Sequence, residues 1–133
     1  MSDYICRILS HAGHVQRHED KYVSGVPDIS YCLSKNKHGW LELKYIDVNK
    51  IKPKQIINIP HFTSEQKNWL ESRGEIGCKC YLLLFVDDVF VTIPWFNLTF
   101  INKTKWEHIW KISKYTWNVT KNPYEVIDIF KKL

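Results

Sequence analysis

Apolar and polar positions alternate through two neighbouring stretches of the chain. Ile29, Tyr31 and Leu33 alternate with Asp28, Ser30 and Cys32. After the polar turn Ser34-Lys-Asn-Lys-His-Gly39, Leu41, Leu43 and Tyr45 alternate with Trp40, Glu42 and Lys44. A period of two predicts strands over 28–33 and 40–46, and the short loop between them predicts an antiparallel hairpin. Ser24-Gly25-Val26-Pro27 reads as the turn before it. Upstream, residues 3–10 read as a short helix ended by Ala12-Gly13, and 14–20 as an extended segment. Downstream, a lysine-rich loop with two prolines runs from Asp47 to His61. Thr63-Ser-Glu-Gln66 is a capping box opening a helix that runs to about Arg73 and stops at Gly74. Cys78 to Val86 is nearly all apolar, the pattern of a strand buried on both faces, and Val89 to Ile93 returns after Asp87-Asp88. A helix over 103–113 would stack Trp106 and Trp110 at i, i+4. A terminal helix would start at Pro123, capped by Asn122, with Val126, Ile127, Phe130 and Leu133 as its apolar stripe.

The 133 residues are 44% hydrophobic and 25% charged, which fits one globular domain over 1–133 and excludes a disordered chain. No apolar run approaches the roughly 20 residues of a membrane helix. The N-terminus carries Asp3 and no apolar core of a signal peptide, so the expected compartment is intracellular, the cytoplasm. Cys6, Cys32, Cys78 and Cys80 show no zinc-ribbon spacing and are expected as buried or idle thiols in a reducing compartment. The net charge of +5 fits an anionic partner.

The hairpin gives the charges a geometry. It brings the start of its first strand beside the end of its second, so Asp28 meets Glu42 and Lys44, which share one face. Two convergent carboxylates are hard oxygen ligands suited to Mg²⁺ or Mn²⁺. Such an ion polarises a phosphoryl oxygen and lowers the pKa of a bound water. The lysine would hold that water and offset charge on the phosphorus centre. A bare Glu-x-Lys also occurs by chance on half-buried strands.

Four ordered pieces, Ser-Gly-Val-Pro-Asp-Ile, Gly-Trp-Leu-Glu-Leu-Lys, Phe-Thr-Ser-Glu-Gln-Lys-Asn-Trp-Leu and Gly-Cys-Lys-Cys-Tyr-Leu-Leu-Leu, resemble the PD-(D/E)xK nuclease superfamily over about residues 12 to 90. The branch they are most similar to is the VRR-NUC type, whose small stand-alone members are often phage-encoded; such an enzyme would act in the host cytoplasm. The resemblance implies an α/β, restriction-endonuclease-like mixed central sheet flanked by helices, and divalent-metal-dependent cleavage of DNA. It implies Asp28 and Glu42 as metal-binding acids, the backbone carbonyl of Leu43 as a further ligand, Lys44 as the motif lysine and Gln66 as an accessory residue. Many members carry an acid on the N-terminal helix. Here only Asp3 lies on it, and Glu19 on the extended segment is taken as the substitute, weighed against a solvated charge cluster.

His11, His14 and His18 are read as solvent-exposed or phosphate-contacting rather than as a zinc site, because Gly13 breaks the helix that would align them. Lys35 and Lys37 on the hairpin turn, and Lys50, Lys52 and Lys54 on the following loop, are expected to flank the acids and bind DNA, since acids alone would repel a phosphodiester. The expected function is a Mg²⁺- or Mn²⁺-dependent DNA endonuclease that selects branched DNA, resembling Holliday junction resolvases, and acts as a homodimer through exposed C-terminal aromatics. The alternatives are a nickase, flap or general duplex nuclease, and a non-catalytic DNA-binding module.

Overall fold

The structure, a computed structural model, describes residues 2–19, 22–118 and 124–132. One six-stranded sheet organises them, in the order β1-β2-β3-β4-β5-β6. Its strands are β1 (Gly13–Arg17), β2 (Ile29–Leu33), β3 (Lys37–Ile46), β4 (Lys79–Val86), β5 (Val89–Pro94) and β6 (Tyr115–Asn118). All neighbours pair antiparallel except β3 and β4, which are parallel. The connection between those two carries α2 (Ser64–Glu75), as a parallel pair requires a crossover. The sheet is therefore mixed, as the resemblance implies.

The β2–β3 hairpin closes through Lys35 and Asn36, both with positive φ (61° and 60°). With Leu33 paired to Lys37, the loop is the three residues Ser34, Lys35 and Asn36, and the left-handed conformation of the last two closes it. β4 runs through the middle of the sheet, so its residues alternate between two cores. Tyr81 and Leu83 join Ile29, Leu41 and Leu43 under α1 (Ser2–Leu9) and α3 (Glu125–Lys132). Cys80, Leu82 and Leu84 join Ile46, Ile57, Leu70 and Trp106 on the opposite face, under α2.

Three expectations are corrected. First, α2 does not stop at Gly74. A side chain there would overlap the Trp95 ring, and the helix continues to Glu75 before the chain turns at Gly77, whose φ is +109°. Second, residues 103–113 form no α-helix. Trp95–Lys103 and Trp106–Lys111 are 3-10 segments, the second kinked at His108. Trp106 is accordingly 9% exposed and Trp110 64%, so the two are not stacked on one face. Third, the aromatic last third is not all exposed: residues 115–118 add a sixth strand, and its Trp117 is buried. Ile129 and Phe130 of α3 are buried, with Phe130 against Tyr31, Tyr81 and Trp117. Asn122, Pro123, Leu133 and the Val126 side chain lie outside the described residues. Among the described residues no helix is long and apolar enough to cross a membrane.

Candidate active site

Ile29 pairs with Leu41 across β2 and β3. Continuing that register by one residue sets Asp28 opposite Glu42, on the face that α2 covers. The Leu43 main-chain N–H donates to Asp28 Oδ2 at 2.8 Å, fixing the carboxylate against the motif strand. One residue further, the register sets Pro27 opposite Leu43. Proline has no N–H to donate, so the ladder offers no donor to the Leu43 carbonyl there. The Pro-Asp pair thus replaces a rung of the ladder with a carboxylate.

Glu42 is 1% exposed, an unusual position for a carboxylate. Lys44, two residues on and on the same face, brings its Nζ to 3.2 Å from Glu42 Oε1. The same ammonium donates to the His61 carbonyl at 2.8 Å. His61 holds a positive φ of 62°, a strained conformation for a non-glycine residue. The loop from Asp47 therefore returns to Lys44 just before α2 begins. Gly25 fixes the other side. Its φ is +88°, and a side chain there would meet the Glu65 carbonyl oxygen at 2.6 Å. The turn before Asp28 is thus seated on the first turn of α2.

Gln66 lies in that first turn. Its Oε1 accepts from the Thr63 N–H at 3.0 Å, and its own N–H donates to Thr63 Oγ1 at 3.2 Å. The expected capping box is present, and it occupies the amide oxygen; the amide nitrogen is the group Gln66 can offer a phosphate.

Glu19 is not brought to Asp28 and Glu42. It is largely exposed and pairs with Arg17, which also pairs with Asp3 of α1. Arg17 stands opposite Ile29, whose side chain belongs to the α1 face. The two acids weighed as a third ligand are thus held by one guanidinium on the other side of the sheet. Among the described residues no group of three or more His, Cys, Asp and Glu is placed to hold a metal ion. What converges is two carboxylates and the Leu43 peptide. That set consists of hard oxygen donors and fits a divalent cation such as Mg²⁺ or Mn²⁺.

Lys35 and Lys37 do not flank the acids. The hairpin logic that joins Asp28 to Glu42 sends the turn to the other end of the strands. Lys37 lies five positions before Glu42 on β3, about 17 Å of strand, and the Lys37 ammonium reaches the Lys131 carbonyl of α3. Lys50, Lys52 and Lys54 are exposed on the loop that leaves and rejoins the site end.

The sequence did not place His18 beside the acids. It continues the β1 register to stand opposite Asp28, donating its main-chain N–H to the Asp28 carbonyl at 2.8 Å. His18, Asp28 and Glu42 therefore form a row across three strands. The half-buried imidazole lies 2.8 Å from Ser30 Oγ and packs on Trp40, which meets Trp69 of α2 edge-on. His11 packs instead near Tyr124, so the histidines are dispersed. The signal in the sequence was the β1 register, invisible without its pairing. The thiols carry no site either: burial and the adjacent Cys78 push the Cys80 pKa up to about 12.

No protein-family model matches the chain, and no curated protein matches it. Among solved structures, the fold is similar to that of Archaeoglobus fulgidus Hjc, a Holliday junction resolvase from an archaeal hyperthermophile. The TM-score is 0.53 at 15% identity, over 95% of this chain and 93% of that one. The mixed sheet and its flanking helices are the restriction-endonuclease-like α/β fold.

Proposed function

We propose that the protein is a divalent-metal-dependent DNA endonuclease that acts on branched DNA inside the cell. The observation that carries the reading is the meeting of Asp28 and Glu42 on one face, with the Lys44 ammonium 3.2 Å from Glu42. The similarity in fold to a Holliday junction resolvase supports the choice of substrate. The assignment to the VRR-NUC branch rests on the four motif pieces alone.

Asp28, Glu42 and the Leu43 carbonyl would hold the cation. When bound, it polarises a phosphoryl oxygen and makes a water nucleophilic at neutral pH. The Leu43 N–H keeps the Asp28 carboxylate in place. Lys44, tethered by the His61 carbonyl, presents a fixed positive charge where negative charge accumulates on the phosphorus oxygens, and it can donate a hydrogen bond to the attacking water. The Gln66 amide nitrogen orients a phosphate oxygen from the α2 side. Lys50, Lys52 and Lys54 draw the polyanion towards acids that would otherwise repel it.

Two symmetric sites suit a junction, which needs two cuts on strands of like polarity, so the active form is a homodimer. Labelled four-way junction, flap, nicked and linear duplex DNA, each with Mg²⁺ and with Mn²⁺, test the reading. Preferential junction cleavage is expected. A cruciform plasmid should be linearised rather than nicked, and light scattering should give a dimer mass. A monomer giving nicked circles would replace the resolvase with a nickase. No cleavage of any substrate would reject the enzyme.

A further inference from the structure

The lysines of the 47–61 loop do not stand alone. Residues 53–57 are paired through the backbone with residues 104–107, although some fifty positions separate them in sequence. Ile57 N–H donates to the Thr104 carbonyl at 2.8 Å, Trp106 N–H to Gln55 at 3.0 Å and Glu107 N–H to Pro53 at 2.9 Å. Ile56 and Lys105 oppose each other in an antiparallel bridge.

The pairing sorts side chains into two faces. Ile57 and Trp106 are buried in the core that also contains Ile46, Leu82 and Leu84. Ile46 follows Lys44 by two residues on β3, so this is the sheet face that bears Glu42 and Lys44. Ile56 and Lys105 are exposed on the outer side; Lys52 and Lys54, on the turn that enters the pairing, and Lys103, at the end of the preceding 3-10 segment, are exposed as well. The single acid in these two segments, Glu107, lies 3.9 Å from the His108 imidazole. The loop starts three residues after Lys44 and comes back to it at His61.

We propose that this ribbon is a platform for a double-helical DNA arm leading away from the cleaved strand, with Lys103 and Lys105 contributing as much as the loop lysines. The inference rests on the DNA-cleaving reading above and adds a contact surface to it. Its chemistry is that of phosphate tracking: four ammonium groups on or directly beside a short, backbone-fixed ribbon, with one exposed apolar side chain, Ile56. Such contacts bind any sequence and are sensitive to salt.

The test is a salt titration of binding to a fluorescein-labelled duplex, in EDTA so that no cleavage occurs. Lys103→Gln with Lys105→Gln should flatten the slope of log K against log salt by about two units. Lys131→Gln with Lys132→Gln, on α3, should leave it unchanged. As a measurement independent of the double variant's folding, a photo-crosslinking amino acid in place of Ile56 should capture the duplex, and one in place of Tyr124, beside His11, should not. A steep wild-type slope that the Lys103 and Lys105 substitutions leave unaltered, or crosslinking at 124 and not at 56, overturns the platform and leaves the nuclease reading intact. A wild-type protein that binds no DNA overturns both.

Discussion

The Lys44 ammonium sits 3.2 Å from Glu42 Oε1, and that carboxylate is almost wholly enclosed. A buried carboxylate is costly unless a cation accompanies it. Lys44 therefore has a structural task beside the chemical one proposed for it, and so would a divalent ion.

Lys44→Met separates these tasks. It should reduce cleavage by about 10²-fold or more. It should also lower stability by roughly 3 kcal/mol, because it takes the ammonium away from a buried charge. Mg²⁺ should restore part of that loss by binding the folded state. Glu42→Gln, which keeps the shape and an oxygen for the Lys44 ammonium, should cost less than Lys44→Met and should gain nothing from Mg²⁺. Calorimetry with and without Mg²⁺ reads both. A Lys44→Met protein that melts like wild type would mean that the ion pair does not stabilise the fold.

Gly25→Ala should displace the turn before Asp28. The substitution meets both a positive φ and the Glu65 carbonyl. A loss of about 1–3 kcal/mol is expected, with a drop in cleavage larger than that seen for an equally destabilised variant elsewhere. Leu70→Val in α2 supplies the comparison. Equal activity in the two at equal stability would show that the turn does not position Asp28.

The hairpin and its acids were legible because a period of two leaves little choice of face, and the capping box because two side chains must be three apart. The 3-10 segments were not legible: Trp95–Lys103 and Trp106–Lys111 have no sustained period, and a stack of aromatics imitates a helical stripe. β6 is four residues long and defined by its partner Val89–Thr92, a non-local fact. The place of Glu19 was not legible because Arg17 holds both Glu19 and Asp3 of α1 on the other face of the sheet, which no local pattern reveals. Lys35 and Lys37 were misplaced against the hairpin's own logic. The pairing of 53–57 with 104–107 lies wholly outside what spacing can show.

Stability should fall on the alkaline side. Burial, with Cys78 close by, raises the Cys80 thiol to about 12, and burial beside Cys80 raises the Tyr81 phenol to about 12. Both are neutral in the fold at pH values where the unfolded chain ionises them. Below about pH 9 neither state loses the thiol proton, so the Cys80 contribution is constant. Between about pH 9 and 12 the unfolded state binds fewer protons, and stability declines. Cys80→Ala should make that decline shallower while costing packing at every pH. Urea midpoints measured from pH 7 to pH 11 test this; identical slopes for both proteins would contradict the burial of the thiol.

The two lysine groups should behave differently. Neutralising Lys50, Lys52 and Lys54 together should flatten the salt dependence of DNA binding by up to about three units. Neutralising Lys35 and Lys37, at the far end of the hairpin, should change it little. The reverse result would put the DNA at the turn rather than at the Asp28 end.

The most direct measurement is cleavage of a labelled four-way junction under single-turnover conditions by wild type, Asp28→Asn and Glu42→Gln, with Mg²⁺ and with EDTA. The carboxamide of the first variant keeps an oxygen for the Leu43 N–H. Both variants should therefore fold, and should bind the junction at least as tightly, having lost a charge that repels phosphate. Wild type should cleave with Mg²⁺ and stop with EDTA, and neither variant should cleave. Cleavage by either variant at the wild-type rate would contradict the assignment of the site.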